Sequence, residues 1–394
     1  MKNKFLLLFI ITLFLCGCDN YRELNNIAII TGVSLDKVED KYEVGLLIAN
    51  SPKQQTSSKE GEAQTTVYTA KGSSIASAIQ HIDYKSPKKL YFGHINVVII
   101  SEAIGKEGFL ETADFLLRYP ETRKKFFLMQ SKDCKPKDIL KIVSPLESFP
   151  SQSIATLLKS TRDTEGVLEV IDYSTFISKI LENGYEPTLP VITISGNENK
   201  GEKSKNIEST EPEAYIKLDS IAIYKNGKFQ GYENFKEGQN INIINNNINE
   251  LKITFKYKNK DISFGSNQVS SKVKINNPKN ITINVSGKGF ISEINTKDNL
   301  ENPKTIKKME KNINKTIKKR LYKTIKKMQT EYQSDVFGFG NKIYKKYPKK
   351  WKKIENHWND KYFPNLDINI NTNFKINSVG SLDRTIKEVK GWEK

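Results

Sequence analysis

The sequence predicts a multi-domain α+β protein, with mixed α/β units in its N-terminal part and a C-terminal antiparallel sheet packed by one long helix. Three observations predict it. Strand-like runs alternate with helical periodicity up to about residue 130. Strand-like runs then follow one another between residues 215 and 294. Finally, one apolar stripe of helical period continues through residues 304–333. The chain has 394 residues, enough for two or three domains.

Taken in order, residues 27–35 (IAIITGVSL) and 42–49 (YEVGLLIA) read as strands rich in Ile, Val and Leu. Residues 50–65 are polar and read as a loop, and Thr66 to Lys71 as a third strand. Ser73 and Ser74 offer caps for a helix over 74–84, where Ile75, Ile79 and Ile82 share a face. Ile95 to Ser101 is a continuous apolar strand. A helix over 104–118 follows it, with Phe109, Ala113, Leu116 and Leu117 inward, and then a strand from Phe126 to Gln130. Residues 135–190 read as helical, punctuated by five prolines. Residues 196–213 hold no large apolar side chain except Ile207 and read as a linker or disordered loop.

Beyond that point the pattern changes. Residues 215–225, 228–232, 251–258, 269–275 and 281–294 read as successive strands, and Asn226-Gly227 is a hairpin turn signal. The intervening Asn-rich run 241–249 (INIINNNIN) reads as low-complexity sequence. Ile306, Met309, Ile313, Ile317, Leu321, Ile325 and Met328 recur at spacings of three and four, one stripe on about 45 Å of helix. In the last strand, Leu366, Ile368, Ile370, Phe374 and Ile376 alternate with Asp367, Asn369, Asn371, Asn373 and Lys375. A helix laid across the apolar face of such a sheet buries both apolar surfaces. Asp335 to Gly340 (DVFGFG) reads as a helix stop in which Gly338 and Gly340 permit left-handed backbone and Phe337 and Phe339 fold back onto the sheet. The domain reading is an export signal over 1–17, an N-terminal region of one or two subdomains over 18–195, a linker over 196–214 and a C-terminal domain over 215–390.

Lys2 and Lys4 precede an apolar run, Phe5 to Leu15, and then Gly17 and Cys18. This is a signal peptide with a small residue before the cut, and it resembles a bacterial lipobox. Cys18 is the lipidation site, because a thioether to diacylglycerol needs a sulfur nucleophile. Cys16 is the poorer site, since bulky Leu15 would precede its cut. The apolar run rises only about 16 Å, against roughly 30 Å of hydrocarbon, so it does not read as a membrane span.

Removing residues 1–17 lowers the formal charge from +18 to +16. A basic surface calls for anionic partners. An exported lipoprotein does not meet nucleic acid, so a membrane surface or an acidic protein fits better. Residues 304–329 carry eleven Lys or Arg and one acid, Glu310, and residues 341–353 carry seven Lys and no acid. Each Lys near an anionic leaflet adds about 1 kcal/mol. The bland alternative is a solvated face of snorkelling lysines.

Catalytic, cofactor and metal sites are not expected. There is no phosphate-cradling Gly-rich loop, no His-Glu-x-x-His and no Gly-x-Ser-x-Gly elbow. His81, His94 and His357 are scattered, and Cys134 reads as structural, because no His partner for it is identifiable. Glu121 and Glu147 do not pair by sequence. No ligand-binding residues can be named.

Several stretches together resemble the GerAC/GerKC family, the lipoprotein C subunits of nutrient germinant receptors in spore formers. They are Cys18-Asp-Asn-Tyr-Arg-Glu-Leu24 with Asn26 to Asp36, then Gly93-His94 with Ile104-Gly105, then Phe115 to Arg123, and finally Asp335 to Gly340 with Pro348, Trp351, Trp358 and Phe363. The motifs occur in order over nearly the whole mature chain. Asp19 and Asn20 depart from the family, which usually has Trp and Asp there. The resemblance implies a non-enzymatic subunit of several α/β domains, lipid-anchored on the outer face of the spore inner membrane. Its implied partners are two membrane-embedded subunits, A and B; the charge of the basic helix 304–333, read by itself, offers a second membrane tie. Two other classes compete: a solute-binding lipoprotein of a transporter, which needs two lobes that close on a ligand, and a cell-wall hydrolase, which needs a carboxylate pair or metal triad in a cleft.

Overall fold

The computed structural model describes residues 26–379 apart from 51–63, 294–297 and the single positions 120, 171, 209, 299 and 301. Cys18, the export signal and most of the 50–65 loop lie outside the described residues. The larger sheet contains β1 (Ile27–Val38), β2 (Lys41–Ala49), β3 (Thr65–Gly72), β4 (Lys89–Tyr91), β5 (Val97–Ile100), β6 (Phe127–Ser131), β7 (Thr188–Gly196), β8 (Ala214–Lys225) and β9 (Lys228–Glu233). Their order is β3-β2-β1-β5-β6-β7-β8-β9, with β4 beside the start of β1. The four central strands are parallel and the pairs at both sides are antiparallel.

Helices α1 (Ile75–Asp83), α2 (Glu102–Glu107), α3 (Phe109–Arg118), α4 (Pro136–Ile139), α5 (Pro150–Glu165) and α6 (Tyr173–Leu181) follow the early strands. Helices on both faces explain why β5 is apolar throughout. With a period of two, Val98 and Ile100 join the core shared with α1, α2, α3 and α6, while Val97 and Ile99 join the core shared with α4 and α5. Ser74 caps α1 as expected, accepting from Ser77 N at 3.1 Å. The helix read over 104–118 is two helices, because Gly108 between them takes φ +129 and Phe109 N instead donates to Gly227 O at 2.9 Å.

Two segments differ from their sequence readings. β7 contains Pro190 within the run read as helical. Its tertiary placement between β6 and β8 overrides the proline, whose ring removes only one donor. The segment read as a linker joins β7 to its antiparallel neighbour β8. It holds α7 (Glu198–Gly201) and α8 (Lys205–Glu208), and Asn206 is buried there, donating to Val143 O and Ala214 O at 2.9 Å each. The Asn226-Gly227 hairpin forms as read, with φ values of +52° and +73°.

The second sheet has the order β10 (Leu251–Tyr257), β11 (Lys260–Asn277), β12 (Asn280–Glu293) and β13 (Asp367–Ser378). It is antiparallel from β10 to β12, and β13 returns parallel to β12. Between those two lie α10 (Pro303–Lys327), continued by a π-helical turn over Met328–Tyr332, then α11 (Phe339–Lys346) and α12 (Pro348–Trp351). Met309, Ile313, Ile317, Leu321, Ile325 and Met328 of the long helix are buried against the sheet. Each buried side chain of this size contributes about 2 kcal/mol relative to exposure. Asn302 caps the helix at Lys304 N (2.9 Å), and Gln333 ends it in a left-handed turn at φ +49.

The Asn-rich run lies mostly in α9 (Phe235–Asn245), where Ile241, Ile243 and Ile244 pack into the core that joins both sheets. Two of the amides in this region are buried and donate: Asn242 Nδ2 to Gly166 O and Asn240 Nδ2 to Thr324 Oγ1, both at 2.8 Å.

Candidate functional site

Two polar assemblies lie side by side where the two sheets meet. The first is a closed knot around Asp335, whose carboxylate is fully buried. Oδ1 accepts from Phe337 N (3.2 Å) and Phe339 N (3.1 Å), and Oδ2 accepts from Gly340 N (2.7 Å) and Trp358 Nε1 (3.0 Å). Burial outweighs these four donors and pushes the carboxyl up to about 6. Gly338 is left-handed at φ +64, as the motif suggested. Gly340 serves a different need from the one read in the sequence. A Cβ there would lie 2.6 Å from Trp358 Nε1 and 2.8 Å from Gly184 Cα, so this glycine exists for close approach. Glu186 N donates to Asp335 O at 3.0 Å and Asn341 N donates to Gly184 O at 3.2 Å, tying residues 184–186 to 335–341. Glu186 accepts from Asn359 Nδ2 (2.6 Å) and Asn226 N (2.9 Å), and burial raises its carboxyl to about 7.

The second assembly is an open cleft of about 850 Å³. α6 and the end of α5 form one wall, through Lys179, Thr175 and Arg162. The end of α9 and one side of α11 form the other, through Asn245, Asn341, Lys342 and Lys345. Set into it is an ion pair of Lys179 with Glu169, whose side chains are only 10% and 6% exposed. Asn247 Nδ2 donates to Glu169 Oε1 at 2.9 Å, and the Lys179 ammonium lies 4.6 Å from the Tyr185 ring centre. Asn245 Nδ2 donates to Tyr185 Oη (3.3 Å) and Val336 O (3.1 Å), so the cleft and the knot share a wall. A second cavity, apolar and lined in part by Val33, Ile79 and Phe92, measures about 10 Å³ and holds no ligand larger than a water.

The basic helix divides into two faces. Arg320 Nη2 donates to Gln239 Oε1 at 2.9 Å, and Lys327 pairs with Glu233 at 2.5 Å, so both turn inward. Lys304, Lys307, Lys308, Lys311, Lys315, Lys318, Lys319 and Lys323 are exposed. Among the described residues, none of these eight has a carboxylate at ion-pair distance. Glu310, the single acid of the stretch, is engaged by Lys375 at 3.2 Å and Ile376 N at 3.1 Å.

Cys134 is half-buried beside Thr193, and burial raises its thiol, which suits packing and not nucleophilic attack. Among the described residues no three His, Cys, Asp or Glu converge as metal ligands, and no helix is long and apolar enough to cross a membrane. The knot appears in the sequence as the DVFGFG motif with Trp358. Glu169, Lys179 and Glu186 carry no local signal, because Glu186 meets Asn226 and Asn359 and the Glu169–Lys179 pair is joined by Asn247, all far away in sequence.

Known proteins match at the level of the whole chain. The family model described as "Spore germination protein N-terminal domain" matches residues 20–194, and that described as "Spore germination B3/ GerAC like, C-terminal" matches residues 219–380. Spore germination protein KC of Bacillus subtilis is 28% identical over 97% of this chain and 96% of its own. Spore germination protein GerQC of Bacillus cereus is 22% identical over 96% and 99%. The crystal structure of the GerBC protein superposes with a TM-score of 0.53, at 18% identity, over 88% of this chain and 97% of that one, a likeness of fold.

Proposed function

We propose, because the chain belongs to the GerAC/GerKC family of spore germination proteins, that it works as the lipid-anchored, non-enzymatic subunit of a nutrient germinant receptor. The observation that carries this reading is the in-order match of both family segments across nearly the full mature length, behind a lipobox ending at Cys18. In this reading the diacylglyceryl group on Cys18 holds the protein at the outer face of the spore inner membrane, beside the membrane-embedded A and B subunits. One acyl chain binds reversibly, whereas two chains with a basic patch anchor stably. The eight exposed lysines of the long helix supply that patch, facing anionic headgroups.

The test is germination of spores lacking the gene, complemented with wild type or with Cys18→Ala. Loss of response to a defined nutrient, restored by wild type alone, supports a receptor subunit whose anchor matters. Normal germination of a strain lacking this gene and its sister receptors would instead favour the solute-binding lipoprotein. The membrane role of the helix is tested separately by reversing Lys318, Lys319 and Lys326 to Glu. Unchanged membrane retention and assembly would refute it.

A further inference from the structure

We propose that the cleft between α6 and α11 binds a small polar anion, a carboxylate or phosphate that also carries hydrogen-bond donors. Its lining holds five cationic side chains and three acidic ones. Arg162 is already held by Asp163 at 2.8 Å, and Lys179 by Glu169. Lys125 on one side and Lys342 and Lys345 on the other are exposed. No carboxylate sits at ion-pair distance from any of the three among the described residues. Like charges gathered on one cavity with low-dielectric walls repel one another and concentrate anions there.

The remaining groups narrow the class. Asn245, Asn247, Asn249, Asn341 and Thr175 offer amide and hydroxyl contacts, and large apolar side chains are few. Asp172 and Glu182 at the rim disfavour a bare polyanion and favour one with its own donors. The buried Glu169–Lys179 pair, braced by Asn247 and Tyr185, fixes one wall, so the site does not have to be built on binding. A volume of about 850 Å³ is suited to a small molecule. Lys125 and Lys179 belong to the first family-matched segment, and Lys342 and Lys345 to the second. A bound anion therefore bridges the two, next to the Asp335 knot. This assignment goes beyond the anchored-subunit reading and does not depend on Cys18.

The full chain, purified in detergent, would be titrated calorimetrically with inorganic phosphate and with malate, and melted in each against sodium chloride of equal ionic strength. The expected result is saturable binding with a Kd in the millimolar range or tighter, and a Tm above the chloride control. Lys342→Glu with Lys345→Glu should weaken binding at least tenfold, and Lys125→Glu should weaken it independently. Lys318→Glu with Lys319→Glu, on the long helix, should leave it unchanged. Binding of phosphate alone or malate alone assigns the anionic group. A Tm no higher than in chloride, or unchanged affinity in variants that melt like wild type without anion, overturns the proposal. So does an acidic peptide that binds where neither small anion does, since it would give the cleft to a partner chain.

Discussion

The Asp335 knot and the Glu169 cleft share Phe337 and Gly338 at their border, and each buries a carboxylate, but they answer it differently. Asp335 meets three backbone N–H groups and an indole with no cation in contact. Glu169 meets an ammonium and an amide at the edge of open space. A carboxylate satisfied by fixed neutral donors holds chain segments in one geometry. A carboxylate paired with a buried lysine beside a cavity fixes one wall of an open site and leaves the other lysines of that site within reach of a solute. The same junction thus carries one assembly that holds and one that can respond.

The comparison is broken most severely at the knot. Asp335→Ala strands four buried donors at once and should lower unfolding stability by about 3–5 kcal/mol, read by urea denaturation. Gly340→Ala should cost about 1–3 kcal/mol by overpacking against Trp358. In the cleft, Lys179→Met should cost about 3 kcal/mol by leaving Glu169 buried without its counter-ion, whereas Lys179→Met with Glu169→Met should recover most of that. If the double variant is as unstable as the single, the pair is not the unit described here.

A smaller effect separates the two by pH. The Glu186 carboxyl, beside the knot, rises from 4.5 to about 7 in the folded chain. The native state therefore holds a proton that the unfolded chain releases, so this stabilising contribution is complete below pH 4.5 and is lost as pH rises towards 7. Glu186→Gln should remove that dependence. It should change stability near pH 4.5 by no more than about 1 kcal/mol, because Asn359, whose Oδ1 is buried without a partner, can turn its amide to match, and it should be more stable than wild type at pH 7. Stability measured from pH 4.5 to 8 would show a flatter profile. Least affected should be Lys318→Glu with Lys319→Glu, within about 0.5 kcal/mol for exposed residues.

Most of the elements were legible from periodicity, because β5, the long helix and β13 each bury a stripe whose spacing reports its geometry. What was hidden depended on distance. Pro190 argued against a strand that three-dimensional neighbours hold in place. The Asn-rich run concealed α9, since Asn240 and Asn242 donate to Thr324 and Gly166, far away in sequence. The DVFGFG motif was plain from residue type alone, but its chemistry was not. Nothing in the local sequence says that Asp335 receives Trp358 or that Gly340 must admit Gly184. The cleft was invisible for the same reason, as its lysines come from segments more than a hundred residues apart.

The parallel return of β13 carries a consequence for the order in which the chain takes shape. Asn280 pairs with Asp367, and Phe290 with Ser378, so the second sheet cannot finish until the long helix and the aromatic segment have been synthesised. Until then β12 presents an unpaired edge whose alternate residues are apolar. Closing so long a loop is slow. The interval before closure is when this edge is most exposed to aggregation, and a truncation before residue 366 would make that interval permanent.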